Sequence, residues 1–137
     1  MNEDEKTAKQ YGATVLAYLG DAVIEVRVRT TLISLGITDP GKFNSLSQEF
    51  VTAHAQSGAY AAVEPYLTED EAEIMRRGRN AGITHRPRNQ TQSDYRRATG
   101  FEALMGYLYL CKKTERIDEL FEKAYISVID AVKNKSL

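Results

Sequence analysis

From Ala13 to Leu35 the apolar residues Leu16, Leu19, Val23, Val26 and Ile33 recur at steps of three, four and seven, and Gly36 supplies a stop signal. The spacing predicts one long helix with Gly20 and Asp21 near its middle. Asp39-Pro40 restarts the chain as a cap followed by proline, and two helical patterns follow, about Gly41–Glu49 and Val51–Val63, closed by Pro65. In Thr68-Glu69-Asp70-Glu71 the threonine can accept from the amide three residues on while Glu71 reaches back, a capping box that opens a helix to about Asn80. Ala81 to Ser93 holds Gly82 and Pro87 with little periodicity and reads as a loop. A second long helix follows from about Ser93 to Lys113, with Phe101, Leu104, Met105, Leu108 and Tyr109 near one face. A last helix runs from Ile117 to about Lys133 on Ile117, Leu120, Phe121, Ala124, Ile126, Val128, Ile129 and Val132. No strand pattern, repeat or low-complexity linker interrupts this order. An all-α bundle is expected, as one domain over 1–137 with frayed tails at about 1–10 and 134–137.

Composition allows that fold. A chain of 137 residues, 42% apolar, can bury a core without disulfides. The single cysteine, Cys111, lies among apolar residues, which suits a reduced, cytoplasmic setting and excludes a cysteine-ligated zinc site. The N-terminus has neither a basic start nor an apolar run, and no segment approaches about 18 apolar residues, so secretion and membrane spanning are not expected. The net charge of −1 conceals an asymmetry: Arg76, Arg77, Arg79, Arg86, Arg88, Arg96 and Arg97 crowd one stretch in which Asp94 is the only acid. Overall composition does not suggest nucleic acid, but this local field does.

Two acids stand where apolar helical faces are expected. Asp21 is embedded in Tyr18-Leu19-Gly20-Asp21-Ala22-Val23, and Glu102 in Gly100-Phe101-Glu102-Ala103-Leu104. A carboxylate in such a setting needs a partner, either a cation or an arginine. Gly20, Gly100 and Gly106 could let the two long helices approach and converge their acids. Oxygen-only ligands suit Mg²⁺, which can activate water and steady a phosphoryl oxygen. Glu25, one turn beyond Asp21, is a candidate third ligand or the ion-pair partner of Arg29.

Leu19-Gly20-Asp21-Ala22-Val23-Ile24-Glu25 resembles the signature helix of ribonuclease III, and Phe101-Glu102-Ala103-Leu104-Met105-Gly106-Tyr107-Leu108-Tyr109 resembles its second metal-binding helix. With Arg77-Gly78-Arg79-Asn80-Ala81 between them, and no double-stranded-RNA-binding domain expected after Lys133, the chain is similar to the Mini-ribonuclease III family over nearly its whole length. The resemblance implies a ribonuclease III-like helical bundle and an Mg²⁺-dependent endoribonuclease that cuts double-stranded RNA. It also implies a homodimer and a role in maturing the 23S ribosomal RNA precursor. It makes Asp21 and Glu102 the catalytic metal ligands. Ala17 and Thr99 replace two acids of full-length ribonuclease III, so the ligand set is reduced, and Glu25, Asp94 or water completes it.

A-form RNA is read through phosphates and shape, which suits arginines on a loop; Arg77, Arg79, Arg86 and Arg88 are assigned to it. Arg76 and Arg97 could be solvated, and Arg96 could pair with a neighbouring acid. His54 and His85 lack an orienting partner in sequence and are left out of the chemistry. Tyr18, Tyr107 and Tyr109 fit core or interface better than base stacking. The replacements at Ala17 and Thr99 leave a noncatalytic RNA-binding or ribosome-assembly module as the alternative.

Overall fold

A computed structural model describes residues 2–81 and 91–136. Seven helices follow in order: α1 (Glu3–Lys9), α2 (Ala13–Ser34), α3 (Pro40–Val51), α4 (Ala53–Val63), α5 (Glu69–Ala81), α6 (Gln92–Leu110) and α7 (Thr114–Ser136). A single 3₁₀ turn, Glu64–Tyr66, joins α4 to α5, and the described residues contain no strand.

Local chemistry sets the ends of these helices. Asp39 accepts from the Gly41 amide at 2.9 Å with Pro40 at the first position of α3, and Thr52 caps α4 through the Ala55 amide. The capping box is present: Thr68 Oγ1 accepts from Glu71 N at 3.2 Å and Glu71 Oε1 from Thr68 N at 2.9 Å. α2 ends in a left-handed glycine, Gly36 at φ 89°, with the Ile37 amide donating back to the Leu32 carbonyl. Lys112, at φ 60°, turns the chain the same way after α6. α7 therefore begins at Thr114, ahead of the Ile117 at which its apolar pattern starts.

α6 is the central helix and packs against α1, α2, α4, α5 and α7. Its Phe101, Ala103, Leu104, Met105 and Leu108 are fully buried. Phe50, Phe101, Phe121 and Tyr125 form an aromatic cluster beside it, and the Tyr125 hydroxyl donates to the Phe50 carbonyl at 3.0 Å. On the far side, buried Glu71 accepts from Arg116 Nε and Nη2 at 2.9 and 2.7 Å, and the same guanidinium reaches the Tyr66 carbonyl. These bonds hold the Glu71 carboxyl below its usual range against the opposing effect of burial. They fasten α5, the 3₁₀ turn and α7 together.

Several expectations are corrected here. Residues 3–9 are not a frayed tail but a helix clamped by charge, with Lys9 2.5 Å from Asp70 and Lys113 3.0 Å from Glu5. α7 likewise continues beyond Lys133 to Ser136. Val26 and Ile33, grouped with Leu16, Leu19 and Val23 in the apolar pattern of α2, are 56% and 64% exposed, and Tyr18 is 84% exposed. With Val15 and Ala22 they form a second apolar stripe along α2, opposite the face that packs on α6. Tyr109 and Ile126 also face outward, whereas Tyr107 and Cys111 are core.

The α2–α6 crossing depends on two glycines. A Cβ at Gly20 would overlap the Glu102 carbonyl oxygen and lie 2.9 Å from the Gly106 amide nitrogen; one at Gly106 would overlap the Leu16 carbonyl oxygen. Each obstacle is backbone of the facing helix, which has no rotamer by which to yield. Gly100 performs the same service elsewhere, against Met75 and Arg79 of α5 and the Tyr60 ring, with Gly78 facing it. Gly20→Ala should therefore lower stability by about 3 kcal/mol, the upper part of the range for overpacking. Gly58→Ala, at an exposed position inside α4 with nothing within 4 Å, should raise it by about 0.5–1 kcal/mol. Urea unfolding of the two variants checks the contrast.

Candidate active site

Asp21 follows Gly20 on α2, and Glu102 supplies the carbonyl that Gly20 touches, so the backbone contact places the two side chains together. Asp21 is exposed and Glu102 is half-buried. The expectation of a buried Asp21 is thus corrected, and burial falls on Glu102. Desolvation, then the negative charge and hydrogen-bonding contact of Asp21, push the Glu102 carboxyl up to about 8. Burial together with the nearby Glu102 also pushes up the hydroxyl of Tyr125. Two carboxylates that repel across a contact can be reconciled by a shared proton or by a cation. The exposed Asp21 and an all-oxygen donor pair fit a hard divalent ion such as Mg²⁺, which keeps several waters.

Positions 17 and 99 add nothing to this pair. Ala17 is buried, and the Thr99 hydroxyl donates to the Tyr95 carbonyl at 2.9 Å. Glu25 pairs with Arg29 at 3.4 Å, and both line a groove of about 440 Å³ between α2 and α3. Asp94 is engaged elsewhere: hydrogen bonds from Ser57 first, then His54 and Thr91, hold its carboxyl below the usual range. Its contact with His54, 3.4 Å from Nδ1, gives that histidine an orienting acid that the sequence did not reveal. Among the described residues no group of three or more acids, histidines or cysteines is arranged to hold a metal. The carboxylate pair therefore relies on water, or on groups of a substrate, to complete a cation's shell.

The arginines divide into separate roles. Arg77 donates to the Lys9 and Tyr11 carbonyls, at 3.4 and 2.9 Å, and so ties the α1–α2 turn to α5. Arg79 lies 3.4 Å from the Tyr60 hydroxyl and lines an open cleft with Gln92, Ser93, Arg96 and Arg97. Arg86, Arg88 and His85 lie outside the described residues. The sequence puts Arg79, Arg96 and Arg97 in one basic stretch but does not place them around one cleft, because only the α5–α6 packing joins them.

The raised Glu102 value has a consequence of defined sign. For a carboxyl whose folded value lies above its unfolded one, the folded state binds the extra proton, so its contribution to stability is fully present below about 4.5 and is lost as pH rises through about 8. Metal-free protein should lose stability over that window, and Glu102→Gln, which stays neutral, should remove this part of the dependence. Denaturant midpoints of both proteins between pH 5 and 9, in chelator, measure it.

A family model described as "Ribonuclease III domain" matches residues 14–113. The chain is 42% identical to the Mini-ribonuclease 3 of Brevibacillus brevis over 83% of this chain and 85% of that protein. It is 34% identical to the Mini-ribonuclease 3 of Staphylococcus aureus, over 89% and 92%. A crystal structure of a protein from Fusobacterium nucleatum superposes with a TM-score of 0.74 at 31% identity, covering 93% of this chain and 96% of that one. The matched span holds both glycines of the helix crossing and both carboxylates, and the fold is that of an all-α ribonuclease III-like bundle. The chain belongs to the Mini-ribonuclease 3 family of ribonuclease III-domain endoribonucleases.

Proposed function

We propose that this chain is an Mg²⁺-dependent endoribonuclease that hydrolyses phosphodiester bonds in double-stranded RNA, working as a homodimer in the cytoplasm on the 23S ribosomal RNA precursor. The observation that carries this reading is the Asp21–Glu102 pair, brought together by backbone contact, in which burial and the charge of Asp21 push the Glu102 carboxyl up to about 8. Bound there, Mg²⁺ would lower the pKa of a water and offset charge on a phosphoryl oxygen. Asp21, exposed, and Glu102, half-buried, would hold the ion, and Glu102 would give up its proton on binding it. No helix among the described residues is long and apolar enough to cross a membrane.

The dimer rests on α2. A helix with apolar residues on two opposite faces has more surface to cover than one chain provides. Val15, Tyr18, Ala22, Val26 and Ile33 form that second face, with Asp21 and Glu25 along its edge. A second copy seated on it would set two active sites beside one duplex, in keeping with the near-twofold symmetry of the RNA. Backbone contact is assigned to Arg79, with Arg77 setting the neighbouring turn and Arg86 and Arg88 completing the basic stretch.

Asp21→Asn keeps the shape of the side chain and removes its charge. It should reduce cleavage of a long RNA duplex by more than about 100-fold, the loss associated with groups that only support a metal ligand. Duplex binding should survive, and the protein should sediment at twice the chain mass. Wild-type cutting should stop with a chelator and resume with Mg²⁺. Undiminished cutting by the variant would remove Asp21 from the chemistry, and binding without any wild-type cutting would favour the noncatalytic module.

A further inference from the structure

Arg79 near the end of α5 and Gln92, Ser93, Arg96 and Arg97 in the first turns of α6 enclose an open cleft of about 290 Å³. Neither Asp21 nor Glu102 lines it. None of the three arginines forms an ion pair with an acid among the described residues, although ten ion pairs occur elsewhere. The nearest acid in sequence, Asp94, is turned to Ser57 and His54 of α4. Arg96 Nε is buried and has no hydrogen-bond partner among the described residues. A buried guanidinium N–H without an acceptor is unfavourable, and three guanidiniums around one cleft repel one another. An anion in the cleft relieves both.

The local backbone favours the same occupant. Thr91 caps α6 by accepting from the Asp94 amide at 3.0 Å, which leaves the amides of Gln92 and Ser93 at the positive end of a 19-residue helix without an intrahelical acceptor. Ser93 and Gln92 add neutral donors beside the guanidiniums. Arginine forks match the paired oxygens of a phosphate better than lysine does, and the cleft contains no lysine.

We infer that this cleft is a phosphate-binding subsite, separate from the carboxylate pair, that grips a backbone phosphodiester flanking the one that is cut. The inference rests on the ribonuclease reading for the source of the phosphate. Arg96 and Glu102 stand six residues apart on α6, about 9 Å of axial rise and about 120° around the helix, so a strand that crosses α6 can meet both. Arg96 and Arg97 thus act as positioning residues: they fix where along the strand the cut falls, and the metal pair performs it. The cleft reads charge and spacing and contacts no base edge.

The test measures duplex RNA affinity, in Ca²⁺ to hold back cleavage, as a function of salt, for wild type, Arg96→Gln/Arg97→Gln and Arg96→Lys. The double variant should bind about tenfold more weakly, with a salt slope smaller by about 1 for each cleft engaged. Arg96→Lys, which keeps charge without the fork, should recover the slope but not the full affinity. Arg97→Gln alone, at an exposed position, keeps the experiment valid if loss of Arg96 impairs folding. Wild-type affinity and slope in the double variant, from a protein whose wild type cuts duplex in Mg²⁺, would overturn the subsite and leave the ribonuclease reading intact. Protection of the cleft by inorganic phosphate with unaltered duplex affinity would make it a free-anion site and equally overturn it. A wild type that neither binds nor cuts duplex RNA would remove the ribonuclease reading, and the subsite with it.

Discussion

The backbone contact between Gly20 and Glu102, matched by Gly106 against Leu16, is the constraint on which the rest of this molecule depends. Two helices normally stand 8–10 Å apart because side chains keep them there. Removing the Cβ at both crossing points lets main chain meet main chain, and it is this approach that carries Asp21 of α2 to Glu102 of α6. The crossing also makes α6 the axis of the bundle, with the other packed helices arranged around a segment that is buried over most of its length.

Charge is handled differently at the two ends of that axis. Glu71 and Arg116 are satisfied by each other and by the Thr68 amide and Tyr66 carbonyl, so their burial is structural. Lys9–Asp70 and Lys113–Glu5 fasten α1 in the same complementary way. At Asp21–Glu102 like meets like, and around Arg79, Arg96 and Arg97 like meets like with the opposite sign. Ion pairs join many charges elsewhere in the fold, whereas a carboxyl pair and an arginine cleft stand where α6 meets α2 and α5. In the proposed function, a cation bound by phosphates, on a strand that carries further phosphates, would supply the missing partner to both.

Much of this was legible in the order of residues. Helical spacing, the Thr68–Glu71 box and Gly36 located every helix from α2 to α7 to within a few residues, because these signals act within one or two turns. Asp21 and Glu102 stood out because an acid among apolar residues is conspicuous. What failed was the assignment of faces: α2 is apolar on two sides, and periodicity alone could not say that Val26 and Ile33 belong to the outer one. Nor could it show that Asp21 stays in contact with solvent while Glu102 takes the burial. α1 was invisible because its position comes from contacts far along the chain: Ala8 in the core beside α6, Arg77 on the Lys9 carbonyl, and ion pairs with Asp70 and Lys113. The arginine cleft escaped for the same reason, since Arg79 meets Arg96 only through the packing of Gly78 against Gly100.

The central claim is that the glycine crossing builds a two-carboxylate cation site. Paramagnetic broadening of backbone amide resonances by substoichiometric Mn²⁺, a stand-in for Mg²⁺, tests it most directly. The account predicts broadening centred on residues around Asp21 and Glu102, reversed by excess Mg²⁺ and abolished in Asp21→Asn. Broadening centred on another acidic cluster, or none at Mn²⁺ concentrations that support cleavage, would contradict it.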